Sequence, residues 1–168
     1  MKELLRNGAI VILVALVGGG AANAQSTSWA CTNELIRGVY GFTIEGAKLG
    51  GPGPVGPQVG VAITEFDGAG NLTQVDAVTI DGVEVSDFTH PVATGTYKVN
   101  DNCTGTFTIN FTDGRPTVNT YFVVVENGNE IDTVVEGVPA GGSPGILATR
   151  SIGKRRFTSS IPFIEREG

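Results

Sequence analysis

Short β-rich runs recur along this chain at roughly ten-residue spacing, each cut off by Gly, Asn or Asp, and that rhythm limits the possible folds more than any other feature. Beyond the N-terminal leader, no long segment carries helical apolar periodicity. Arg37 to Glu45 alternates, with Tyr40, Phe42 and Ile44 on one face. Val59, Val61 and Ile63 mark a second strand ending near Phe66. Asp67-Gly68-Ala69-Gly70-Asn71 is a tight hairpin turn whose glycines permit positive φ. Further runs follow at Leu72–Ile80, Val83–Phe88, Thr94–Val99, Thr104–Phe111, Val118–Val125, Ile131–Val135 and Ile146–Ile152. Asp81-Gly82, Asn100-Asp101-Asn102, Asp113-Gly114 and Glu126-Asn127-Gly128-Asn129 supply turns between them. His90-Pro91 interrupts the pattern, because proline belongs at a strand start or an edge.

The result is an all-β antiparallel meander. Two architectures absorb it: a closed up-and-down barrel of about eight strands, or a two-sheet sandwich. Short connections favour the barrel, since Greek-key sandwiches need some long crossings, and closure also removes exposed edges. Gly41, Gly60, Gly95 and Gly105 fall inside strands and suit the bends of a small barrel. Thr94-Gly95-Thr96-Tyr97 and Thr104-Gly105-Thr106-Phe107 echo each other as the two arms of one hairpin. Lys48 to Pro57 is Gly/Pro-rich and reads as an exposed loop, either a lid over a barrel mouth or a plain linker. Arg156 to Gly168 carries Phe157, Ile161, Phe163 and Ile164 among polar residues, a tail that packs across the barrel, adds an edge strand or frays.

Residues 1–24 read as a signal peptide. Lys2 and Arg6 give a positive start, Ala9 to Val17 an apolar stretch, and Ala22-Asn23-Ala24 the small residues for cleavage before Gln25. That stretch is too short for a membrane span, which needs about 20 residues. The expectation is an exported protein, periplasmic or extracellular, with a β-barrel domain over residues 25–153 and a tail over residues 154–168. The formal net charge is −6, and losing Lys2, Arg6 and Glu3 with the leader makes the remainder slightly more acidic. Such a chain repels nucleic acid and anionic membrane. Lys154-Arg155-Arg156 is too short to reverse this and reads as a solvated end after the last strand. Cys31 and Cys103 are the two cysteines, and an even count in an exported chain argues for a disulfide. Closing a loop of about 70 residues stabilises by about 4 kcal/mol in the chain-entropy account.

Little in the sequence carries reaction chemistry. His90 is the single histidine, no G-x-S-x-G is present, and no His/Cys/carboxylate cluster has zinc spacing. The Asp67–Asn71 turn offers oxygens around a glycine, but Val78 stands where a calcium loop needs its bidentate Glu. The catalytic residues are therefore unknown, and neither metal nor organic cofactor is expected. The barrel interior is the remaining candidate. Tyr40 and Phe42, Phe107 and Phe111, and Tyr121 or Phe122 are the rings that would line an apolar cavity or fill it outright. Glu65 and Arg150 lie within strands, and either would need a partner if it pointed inward.

Three stretches together resemble a group of exported bacterial β-proteins similar in layout to the allene oxide cyclase and dirigent barrels. They are Cys31-Thr32-Asn33-Glu34 with Arg37-Gly38-Val39-Tyr40-Gly41-Phe42, Gly60 with Phe66 to Asn71, and Thr94-Gly95-Thr96-Tyr97 with Cys103-Thr104-Gly105-Thr106. The resemblance covers roughly Cys31 to Ile152. It implies a lumen that holds a small, apolar, reactive molecule and steers its cyclisation or coupling without a cofactor, but no site motif matches residue by residue.

Two functional readings follow. In the first, an exported barrel binds a small apolar molecule in its lumen, with cofactor-free cyclisation as its activity. In the second, a non-enzymatic structural or interaction protein of the envelope or extracellular space self-associates or meets a partner, with the apolar tail as one contact.

Overall fold

Alternating side chains and Gly/Asn/Asp turns produce nine strands in a computed structural model that describes residues 30–137 and 146–156. The expected leader and the tail beyond Arg156 lie outside the described residues. The strands are β1 (Gly38–Lys48), β2 (Gly56–Phe66), β3 (Asn71–Ile80), β4 (Val83–Ser86), β5 (Ala93–Val99), β6 (Thr104–Asn110), β7 (Val118–Val125), β8 (Glu130–Val135) and β9 (Leu147–Arg155). They make one antiparallel sheet in the order β2-β1-β9-β8-β7-β6-β5-β3-β4, and a further β2–β3 pairing joins its ends. Eight strands thus form a closed up-and-down barrel, and the sandwich alternative is set aside. Closure lies between first and last strands, from Tyr40 opposite Arg155 to Lys48 opposite Leu147.

The ninth strand, β4, is a short flap. It pairs with the end of β3 at Val78 to Ile80, while β5 takes the start of β3 at Asn71 to Gln74. The expected run to Phe88 stops at Ser86 because Asp87 begins a turn: the His90 amide donates to the Asp87 carbonyl (3.1 Å) and the Thr89 amide to Asp87 Oδ1 (2.8 Å). The Gly/Pro loop is also shorter than expected, at residues 49–55. Pairing of Ala47 with Pro57 and Lys48 with Gly56 extends both flanking strands, and proline is tolerated at a strand start.

The tight turns at 67–70, 100–103 and 126–129 gather at one end of the barrel, and the longer connections at the other. The tight end is sealed. A short 3₁₀ turn, Asn33–Ile36, crosses it with Ile36 fully buried. The Cys31–Cys103 disulfide, with Cα atoms 5.0 Å apart, ties this plug to the β5–β6 turn. The Val99 amide donates to Asn33 Oδ1 (2.8 Å), and the Tyr97 hydroxyl donates to the Asn33 carbonyl (3.3 Å).

Arg155 completes the seal, which corrects the expectation of a solvated basic end. Strand β9 runs three residues past Ile152, and Arg155 faces inward there. Its guanidinium donates to the carbonyls of Leu35 (Nη2, 2.6 Å), Gly128 (Nε, 3.1 Å) and Arg37, and lies 5.1 Å from the Tyr40 ring centre. A planar fork of five donors satisfies several orphan carbonyls at once in a fixed geometry. The buried Tyr40 hydroxyl also donates to the Gly128 carbonyl, and burial pushes its pKa up to about 12 despite the nearby Arg155 cation.

Inside this end the rings form one contiguous cluster. Phe66 meets Tyr40 and Tyr97 edge-on at 5.5 and 5.0 Å, and Phe107 stacks on Phe122 at 5.7 Å. Two inward glycines make room for them: a Cβ at Gly105 would collide with the Phe122 ring, and one at Gly153 with the Phe42 ring. Gly105→Ala and Gly153→Ala should therefore each destabilise by about 1–3 kcal/mol in urea titrations, by overpacking. Gly41 has nothing within 4 Å of its Cβ position, so Gly41→Ala should leave the urea midpoint nearly unchanged.

The Asp67 turn yields a pH prediction. The Asn71 side-chain amide (2.7 Å) and the backbone amides of Asn71, Ala69 and Gly70 hold its carboxyl down at about 2, from an ordinary 3.8. A carboxyl depressed by folding stabilises the fold above its unfolded pKa and loses that contribution as pH falls through the folded value. The melting-temperature gap between wild type and Asp67→Ala should stay constant from neutral pH to about 5, then close between about pH 4 and 2.

Candidate functional site

The aromatic cluster leaves part of the lumen open, because Tyr40, Phe66, Tyr97 and Phe122 crowd the tight-turn end while several strands carry smaller or polar inward residues toward the other. Along β1 the inward series is Tyr40, Phe42, Ile44, Gly46; along β2, from the same end, it is Phe66, Thr64, Ala62, Gly60, Gln58. On β7 to β9 the corresponding upper positions are Thr120, Thr133, Ser151 and Thr149. A cavity of about 370 Å³ remains at the end carrying the long connections, lined by every barrel strand except β5. Phe42 and Phe107 form its floor, Ile44, Ile80, Ile109 and Val118 much of its wall, and Pro52–Pro54 of the Gly/Pro loop stand at its mouth. This volume suits a small ligand.

One side of the wall carries a closed polar network. The buried Asp76 carboxylate accepts from Ser86 Oγ (2.7 Å), Arg115 Nη1 (2.8 Å) and Gln74 Nε2 (3.2 Å). Gln74 Oε1 in turn accepts from Thr64 Oγ1 (2.9 Å). Arg115 reaches in from the β6–β7 connection, donates through Nε to Asp113 Oδ2 (2.8 Å) and lies 3.9 Å over the Phe111 ring. It faces Asp76 where β4 and β5 divide the edge of β3 between them. On the two strands flanking β1, Gln58 and Thr149 are 8% and 6% exposed, and Gln58 Oε1 and Thr149 Oγ1 have no hydrogen-bond partner among the described residues.

The residues singled out from sequence divide into three groups. Phe42, Phe107 and Phe111 line the cavity. Tyr40 and Phe122 point inward but belong to the aromatic end, so of the pair Tyr121 and Phe122 it is Phe122 that enters the lumen. Tyr121 faces outward at 49% exposure and donates to Glu136 Oε1 (2.8 Å), and Glu65 is likewise exposed on the outer face. Arg150 stands at the rim with its side chain directed to Glu45 Oε2 (3.1 Å), a solvent-exposed pair. His90 lies in the β4–β5 connection beside Asp87 (3.1 Å). Among the described residues no group of three His, Cys, Asp or Glu side chains is placed to hold a metal ion, and no helix is long and apolar enough to cross a membrane.

Asp76, Arg115, Gln58, Gln74 and Thr149 were not singled out from sequence. For Asp76 the signal existed, because strand alternation puts it on the same face as Leu72, Val78 and Ile80. A carboxylate on an apolar strand face must find a partner.

Arg115→Met should destabilise by about 1–3 kcal/mol, since it strips the cation from a buried carboxylate. Adding Asp76→Asn should recover part of that loss in a urea titration, whereas simple additivity would contradict the coupling. Compared with known protein families, curated proteins and solved structures, the chain matches none.

Proposed function

We propose that this protein is an exported barrel that binds one small, mainly apolar molecule in the open half of its lumen. The observation that carries the reading is the cavity of about 370 Å³ above the rings of Phe42 and Phe107. Its walls are largely apolar, and the Asp76 and Asp113 carboxylates share the Arg115 guanidinium. The bonded Cys31–Cys103 pair suits an oxidising compartment, and the expected leader supplies the route there. The resemblance to the allene oxide cyclase and dirigent barrels extends the reading to cofactor-free cyclisation of the bound molecule, with no residue assigned to that step.

A second reading has its own support. The outer face of β2 presents Val59, Val61 and Ile63 at 57%, 45% and 38% exposure, an apolar stripe of the kind that marks interaction surfaces. In this reading the protein is a structural or interaction component, and its contacts are made outside the barrel.

Titration with N-phenyl-1-naphthylamine, a neutral dye that brightens in apolar surroundings, separates the two. Lumen binding predicts saturation at one dye per chain. It also predicts that Val118→Trp, which fills the cavity from β7, weakens binding at least about ten-fold, while Val61→Ser on the outer face leaves it unchanged. The reverse pattern would favour the outer stripe and remove the support for a lumen ligand.

A further inference from the structure

Resting on the lumen-binding reading, we infer that the ligand is an uncharged molecule whose apolar body ends in a hydrogen-bond donor, a hydroxyl or an amide N–H, held by Gln58 and Thr149. Both residues stand at one level of the barrel, on the two strands flanking β1. Gly46 of β1 pairs with Gln58 on one side and with Thr149 on the other. Gly46 brings no side chain between them, and a Cβ there would collide with the Ala148 carbonyl. Two cavity-lining polar residues thus stand on either side of a position that carries no side chain.

The chemistry of the wall selects the ligand's polar end. Gln58 Oε1 and Thr149 Oγ1 are buried, and neither has a partner among the described residues. The Gln58 amide oxygen can only accept and the Thr149 hydroxyl can accept or donate, and leaving them unpartnered costs free energy that a ligand O–H or N–H would return. The charged groups are differently placed. Asp76 and Asp113 share the Arg115 guanidinium, Arg150 turns to Glu45, and the Lys48 ammonium stands at the mouth, where it donates to the neutral Pro52 carbonyl, rather than at the level of Gln58 and Thr149. A charged head drawn down to Gln58 and Thr149 would lose its water and gain no free counter-charge there. Neutral donors fit both requirements.

Competition against bound N-phenyl-1-naphthylamine tests this, using decanol, its methyl ether, decanoate and decylammonium below their micelle concentrations at neutral pH. Decanol should displace the dye at about one-tenth the concentration needed for its methyl ether, which keeps the chain and the oxygen but cannot donate. Decanoate and decylammonium should each be weaker than decanol by at least that factor. In Thr149→Val, a near-isosteric change, and in Gln58→Leu/Thr149→Val, the advantage of decanol over the ether should shrink to about two-fold or less. A dye that binds in the lumen but shows no preference for decanol, or prefers decanoate, would overturn this inference and leave the cavity reading intact. A dye that never saturates would overturn both.

Discussion

Hydrogen bonding of β1 along both of its edges is the constraint from which the rest of the structure follows. Its pairing with β9 turns a meander into a closed surface, so inward side chains must share one lumen rather than cover one face of an open sheet. In a barrel of this size that space is just about filled by side chains, and the distribution of large and small residues along the strands decides what remains. Here most of the inward rings collect toward the end bearing the tight turns, and Ala62, Thr120, Thr133, Thr149 and Ser151 lie toward the other. The plug, the disulfide and Arg155 seal the first end, and the 49–55 and 111–117 connections lie at the second.

The two ends also differ in how polar groups are satisfied. At the sealed end, Arg155, Tyr40, Tyr97 and Asn33 hydrogen-bond backbone groups of the plug and turns, so few donors or acceptors face the core unmet. At the open end Asp76 and Arg115 close a network on themselves, while Gln58 and Thr149 keep unpartnered oxygens. A fold can carry such atoms where a bound molecule completes them, and packing them away would cost stability with no return. The asymmetry is one of packing and of polar satisfaction, and the proposed lumen site rests on it.

Much of this architecture was legible in the sequence, because strands and hairpins are written locally. Alternation identified β1, and the Asp67–Asn71 turn and the Thr94/Thr104 echo fixed two hairpins. What is not local was not legible. Val59, Val61 and Ile63 identify β2 as a strand, yet they face outward, and the less apolar set Gln58, Gly60, Ala62 and Thr64 faces the lumen. Only the register with β1 and β3 decides that orientation. Phe122 could be told from Tyr121 only once it was opposite Gly105, whose missing side chain makes room for the ring. Arg155 looked like a solvated charge because its partners, Leu35 and Gly128, are far away in sequence.

The central claim is that the lumen has one packed half and one half open to a small molecule. Methyl chemical shifts on adding decanol to the isotopically labelled protein test it most directly. The account predicts that the methyls of Ile80, Ile109 and Val118 shift together and saturate, while those of Ile36, Leu72 and Ile131 at the sealed end stay in place. Shifts confined to Val59, Val61 and Ile63 on the outside of β2 would contradict it.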